Sequence, residues 1–318
     1  MPLALPTVFS PAAVSRVALL NALANGAIVV TGGAVRLTGS GLGCPTWPRC
    51  TDASFVATPE LAAHGVIEFG NRMLTLVLTV AAIAAVVVVL RSPRRDLRPL
   101  AVLSFLGIPA QALLGGITVL THLNPWIVAA HFLLSMVLVA VATTLWLRSR
   151  EPGVGAPLLR RPLILLVTGL GAVTAVVLAL GTVVTGSGPH SGDLDETNGV
   201  TTVDRMGLDP EAVSQLHADV VFLLLGLTVA LLVALYATDS PGRVRRAARD
   251  LLVVQLAQGL VGFVQYFSGL PIAVVLVHML GAVLVTAFTA RLFWSVRGPV
   301  SEQPLDRHPA REGAPATR

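Results

Sequence analysis

The chain has 318 residues, 54% of them hydrophobic and 12% charged, and a formal net charge of +5 at pH 7. Soluble domains carry about a quarter charged residues, so this composition argues against a soluble enzyme, a disordered chain or a nucleic-acid-binding domain, and nucleic acid is not expected as a partner. The positive charge does not mark a nucleic-acid surface, because every basic residue is arginine and the arginines sit in short clusters between long apolar runs.

A bilayer core takes about 20 apolar residues per helix. Eight such runs lie near 13–35, 66–90, 99–120, 126–147, 162–185, 213–236, 250–268 and 271–294. The fold class is therefore all-α integral membrane, with the lipid bilayer as the first partner. The first run lacks a cleavage pattern and reads as a retained helix rather than a signal peptide. Arginine counting sets the orientation. Arg91, Arg94, Arg95 and Arg98 fall in loop 91–98, Arg148, Arg150, Arg160 and Arg161 in loop 148–161, and Arg243, Arg245, Arg246 and Arg249 in loop 239–249. The alternate loops are nearly bare, with Arg36 and Arg49 in loop 36–65 and only Arg205 in loop 186–212. Both termini are thus expected in the cytoplasm of a bacterial plasma-membrane protein. The Pro-, Arg- and Glu-rich tail 297–318 reads as disordered.

Cys44 and Cys50 fall in the first outer loop, in GCPTWPRC. An oxidising compartment and a short Pro-containing loop favour a disulfide. A thiol pair that exchanges with a redox partner is the alternative.

A shift of 147 residues places TGSG at 38–41 on TGSG at 185–188, and AQALLGGITVLTHLNPWIVAAH (110–131) on AQGLVGFVQYFSGLPIAVVLVH (257–278) without a gap. Aligned Gln and His carry more weight than aligned Leu and Val. Helices 1–4 and 5–8 therefore read as two four-helix copies in parallel repeat. The implied organisation is an N-terminus at 1–12, a first half at 13–147, a linker at 148–161, a second half at 162–295 and a tail at 296–318.

His131, His217 and His278 lie inside spans, where an ionisable residue is costly and a functional candidate by default. All three are roughly 6–11 Å below the outer helix ends at 1.5 Å per residue. The fourth corresponding position holds Asn71, in IEFGNR. Imidazoles at one depth in a helical bundle suit the axial positions of a haem, whereas zinc prefers three or four clustered ligands. The bland alternative is interhelical hydrogen bonding or a proton path. Glu68 sits one turn from Asn71 on the same helix face, where a buried carboxylate could accept a proton or stabilise a cation. An ion pair with Arg72 is the structural alternative. The second half has Ser214 at that place, which predicts a division of labour: His217 and His278 hold a permanent haem, and Glu68, Asn71 and His131 surround something that reacts. Gln111 and Gln258 read as interhelical hydrogen-bonders, and Trp47 and Trp126 as interface anchors.

GGAVRLTGSGLGCPTWPRC, followed by IEFGNR, LGGITVLTHLNPWIVAAHF and VLVHMLGA, closely resembles the haem A synthase family, over roughly residues 13–295. The resemblance implies an oxidoreductase of monooxygenase type that converts the methyl group of haem O to the formyl group of haem A for cytochrome oxidase assembly. It implies haem b as cofactor on His217 and His278, haem O as substrate near His131, Glu68 as the essential acidic residue, and Cys44–Cys50 as the first-loop pair. Arg36 and Arg72 become candidates for propionate contacts, with snorkelling to headgroups as the alternative. The farnesyltransferase that makes haem O and an electron donor would be its partners. Many family members have His where Asn71 stands, so the substrate haem would have one strong ligand fewer here. The competing functions are a bis-His di-haem electron carrier and a transporter with a histidine proton relay.

Overall fold

The computed structural model describes residues 9–193 and 203–298. Among these the chain is all-helical, with eight helices long and apolar enough to cross a membrane. They are α1 (Pro11–Leu37), α2 (Ala62–Leu90), α3 (Arg98–Leu120), α4 (Pro125–Ser149), α5 (Arg161–Ser187), α6 (Pro210–Ala237), α7 (Gly242–Phe267) and α8 (Ile272–Ser295). Proline stands in the first turn of α1, α3, α4, α5 and α6, where its missing N–H costs nothing. Ser10, Asn124 and Asp209 cap α1, α4 and α6 by accepting from the backbone N–H groups of Ala13, Trp126, and Glu211 and Ala212.

One boundary differs from expectation. The arginine run 243–249 was expected in a loop, but it forms the first two turns of α7. Arginine is a good helix former, and the hydropathy that marks a span stops where charges begin although the helix does not. The segments 1–8 and 299–318, which hold most of the expected N-terminal and tail regions, lie outside the described residues, as does 194–202.

In the first half α1 packs on α2 and α4, and α3 packs on α2 and α4; in the second α5 packs on α6 and α8, and α7 on α6 and α8. The seam between the halves is made by α4 on α8, α1 on α8 and α4 on α5. One end of the bundle carries the loops with Cys44 and Cys50, and we call it the disulfide face; the other is the arginine face.

The apolar core is unevenly placed along the helices. Val14, Ala18, Ala85, Val89, Leu97, Ala101 and Leu145 form one cluster near the arginine face of the first half. Leu170, Leu231, Leu235, Val244, Ala248, Leu251 and Leu292 form its counterpart in the second. Nearer the disulfide face the second half changes character. No residue of α6 before Leu224, of α7 after Gln255, or of α8 before Val283 is buried. At that level α6, α7 and α8 add nothing to the buried core.

Candidate functional site

The three intramembrane histidines lie toward the disulfide face, two of them at this level of the second half. His131, His217 and His278 lie six, seven and six residues past the first residue of α4, α6 and α8, about 10 Å along each axis at 1.5 Å per residue. Each ring stands against a glycine of the preceding helix. A Cβ at Gly115 would lie 3.2 Å from Cε1 of His131, at Gly181 3.4 Å from that of His217, and at Gly262 3.3 Å from that of His278. The missing side chain is what lets each imidazole lie across its neighbour. Nδ1 of all three is buried without a hydrogen-bond partner.

The backbone that carries two of these rings is pinned from the next helix. Gln111 donates from Nε2 to the carbonyl of His131 at 3.1 Å and to Oγ of Ser135 at 2.7 Å. Gln258 donates to the carbonyl of His278 at 2.8 Å. These are the interhelical bonds that amides deep in a span were expected to make. Below this level Gln255 is only 4% exposed, yet neither atom of its amide has a partner.

Asn71 occupies the equivalent level on α2. Its Oδ1 accepts from Oγ1 of Thr31 at 2.8 Å, and Gly32 of α1 faces its Nδ2. One turn toward the disulfide face lies Glu68, buried at 6% exposure. Glu68 Oε1 accepts from Arg72 Nη2 at 2.6 Å and Nε at 3.1 Å. Its Oε2 accepts from the backbone N–H of Cys44 at 2.5 Å. Arg72 also donates to the carbonyls of Cys44, Thr46 and Arg49. The pair therefore does not stand alone in the membrane interior: it anchors the first loop. That loop is closed by a Cys44–Cys50 disulfide. Gly43 is required where the loop meets α2, since a Cβ there would lie 2.2 Å from the carbonyl oxygen of His64.

Trp47, expected as an interface anchor, instead lies with its ring 2.4 Å from where a Cβ of Gly116 would be. It closes the loop onto α3, one residue from the glycine that faces His131. Trp126 is exposed, as an anchor would be. His64 is held at the first turn of α2 by Ser40 Oγ, 2.8 Å from its Nδ1, and His122 is exposed in a tight turn with φ +49°. Neither belongs to the histidine level.

Arg36, near the end of α1, donates across the seam to the carbonyl of Thr185 at the end of α5. Arg205 donates to the same carbonyl at 2.6 Å and to that of Gly188. In the sequence Arg205 reads only as the lone arginine of its loop. The facing glycines, Thr31 and Trp47's inward placement were missed as well. The glycines were visible in the sequence, but nothing there says which helix faces which.

The donor set excludes some ligands and fits others. Among the described residues no three His, Cys, Asp or Glu side chains gather as a metal-ion cage requires. Single imidazoles on separate helices at one depth suit a flat macrocycle that accepts axial ligands.

An eight-helix membrane protein with this histidine level has an identifiable family. The model of the cytochrome oxidase assembly protein family, COX15-CtaA, matches residues 15–290, and the chain belongs to that family. A relative named "Heme A synthase" from Bacillus pumilus is 38% identical over 115 residues, 35% of this chain and 36% of the relative. One of the same name from Listeria monocytogenes is 35% identical over 114 residues, 35% of this chain and 37% of the relative. Another from Geobacillus thermodenitrificans is 35% identical over 144 residues, 43% of this chain and 41% of the relative. In each case the similarity covers less than half of the relative's length.

Proposed function

We propose that this protein is a haem A synthase: a membrane oxidoreductase of monooxygenase type that oxidises the methyl substituent of haem O to the formyl of haem A. The observation that carries the reading is the histidine level itself. Three imidazoles with unpartnered Nδ1 atoms share one depth in the bundle, two of them where α6, α7 and α8 add nothing to the buried core, and the family and its named relatives point to the same chemistry.

In this reading His217 and His278 hold a resident haem b in the second half, and His131 and Asn71 receive haem O in the first. The resident haem would supply electron transfer and oxygen chemistry. Each half is then a separate unit, with 148–161 as linker. The residues of the first half do the positioning. Gln111 and Gly115 fix the His131 ring. Thr31 takes up Oδ1 of Asn71, which leaves its Nδ2 as the group turned to the substrate. Glu68 presents a carboxylate one turn away, oriented by the Cys44 N–H and by Arg72. A negative charge held at a fixed place can accept a proton released from the substrate substituent, or stabilise positive charge that develops there. Arg72 has its donors committed to Glu68 and the loop, so its part is to hold Glu68 in place; a propionate contact from it would exchange one of these bonds. Trp47 and the disulfide loop would cover the pocket and exclude water. The disulfide face is periplasmic and both termini are cytoplasmic. The farnesyltransferase that makes haem O and an electron donor are the partners this chemistry calls for.

The asymmetry between halves weighs against a pure electron carrier. Glu68 faces Asn71's half, whereas the second half has Ser214 there, whose hydroxyl donates to its own helix. The test is conversion: membranes containing the protein, supplied with haem O, are extracted and the pigments identified. Haem A in the wild type and none in Glu68→Gln supports the reading. Absence of haem A from wild-type membranes that hold bound haem would support the carrier instead.

A further inference from the structure

The TGSG segment after α1 meets residues 192–193 of the loop after α5. The N–H of Gly41 donates to the carbonyl of Gly192 at 2.7 Å, and Ser40 pairs with Asp193 in an isolated antiparallel bridge. Gly192, at φ +102°, passes over the Arg36 stem. Beneath this cover Arg36 and Arg205 converge on one carbonyl, that of Thr185. Two guanidinium cations so placed repel each other. The ion pairs that link arginine to carboxylate among the described residues involve Arg72, Arg94, Arg148, Arg243, Arg249 and Arg291. Nε of Arg36 and both Nε and Nη1 of Arg205 are buried without an acceptor, and so is the hydroxyl of Ser187 beside them. Burial and the two arginines hold the His190 imidazole below its usual range. Buried cationic donors that lack acceptors cost free energy unless an anion completes them.

The position of the cluster says which anion. Thr185 lies one turn beyond Gly181, the glycine that faces His217. The cluster is thus about 6 Å along the α5 axis from the level of the second-half histidines, at 1.5 Å per residue. We propose that Arg36 and Arg205 form a shared carboxylate seat that takes a propionate of the porphyrin held by His217 and His278. The proposal rests on the haem reading above. It gives Arg36, a first-half residue, a role toward the second-half haem and ties the two halves together through the ligand.

The test titrates the full-length protein, made in haem-limited cells and purified in detergent, with haemin and with haemin dimethyl ester, whose propionates carry no charge. Wild type should bind haemin roughly tenfold or more tightly than the ester, as expected for a charge-assisted pair. Arg36→Gln/Arg205→Gln should bind both alike, and the ester as wild type does, which shows an intact pocket. Should that double variant fail to fold, Arg205→Gln alone, a loop change, should lose part of the preference. A variant that keeps the full preference, or a wild type that shows none, overturns the proposal. A preference that persists while copurifying phosphatidylglycerol is lost from the variant overturns it too, and assigns the seat to a lipid phosphate. A wild type that binds neither porphyrin defeats the haem reading itself.

Discussion

Glu68 carries more of the structure than its size implies. Its two oxygens are shared between a guanidinium and a backbone N–H, and it is nearly sealed from solvent. Glu68→Gln keeps the shape and can keep the Cys44 contact, but it removes the charge. Haem A formation should then fall by about two orders of magnitude or more, while the absorbance of the resident haem is unchanged; pigment extraction beside an optical spectrum checks both. Arg72→Leu is a different injury. It leaves a carboxylate buried without its partner, at a cost of about 3–5 kcal/mol, and frees three loop carbonyls. Thermal unfolding in detergent should show a clear drop in midpoint for Arg72→Leu, and one much smaller for Glu68→Gln. Equal losses would mean that the pair serves stability alone.

At the scale of elements, the facing glycines do the work that a longer motif does elsewhere. Gly262→Leu fills the place of the His278 ring and should abolish a bis-histidine spectrum, whereas Gly259→Ala on the same helix, where nothing lies within 4 Å, should leave it intact. Gly116→Ala drives a methyl into the Trp47 ring. Overpacking of this kind costs about 1–3 kcal/mol, and the loop should lift, seen as a shift in tryptophan emission and easier reduction of Cys44–Cys50. Helix existence was legible because a span needs only sustained hydropathy, and the histidine level was legible because chain position converts directly to depth. The start of α7 was not, since arginines 243–249 end the apolar run without ending the helix. Trp47 was misread for a related reason: tryptophan beside an outer loop has the composition of an anchor, and only the packing against α3 shows that it turns inward. Arg205 could not have been paired with Arg36 from the sequence, because 169 positions separate them and the seam that joins them is a tertiary fact.

For the whole molecule, the division along the membrane normal is the organising feature. The arginine-face half of each bundle is a packed apolar core; the disulfide-face half carries the imidazoles, the amides and the carboxylate, and in the second half α6, α7 and α8 add nothing to the buried core there. Stability and chemistry are thereby separated by depth. If the disulfide face is periplasmic, a membrane-impermeant maleimide applied to intact cells should leave both cysteines unmodified, and should label both once a membrane-impermeant reductant has opened the bridge. Protection after reduction would place that loop on the cytoplasmic side. In the proposed reading the histidine level is completed by iron porphyrin held on His217 and His278. The visible absorption spectrum of the protein purified from haem-replete cells, beside His217→Ala and His278→Ala, addresses it most directly. We expect a low-spin b-type spectrum in the wild type that is lost in both variants. A colourless wild-type protein, or a spectrum unchanged by both substitutions, would contradict the account.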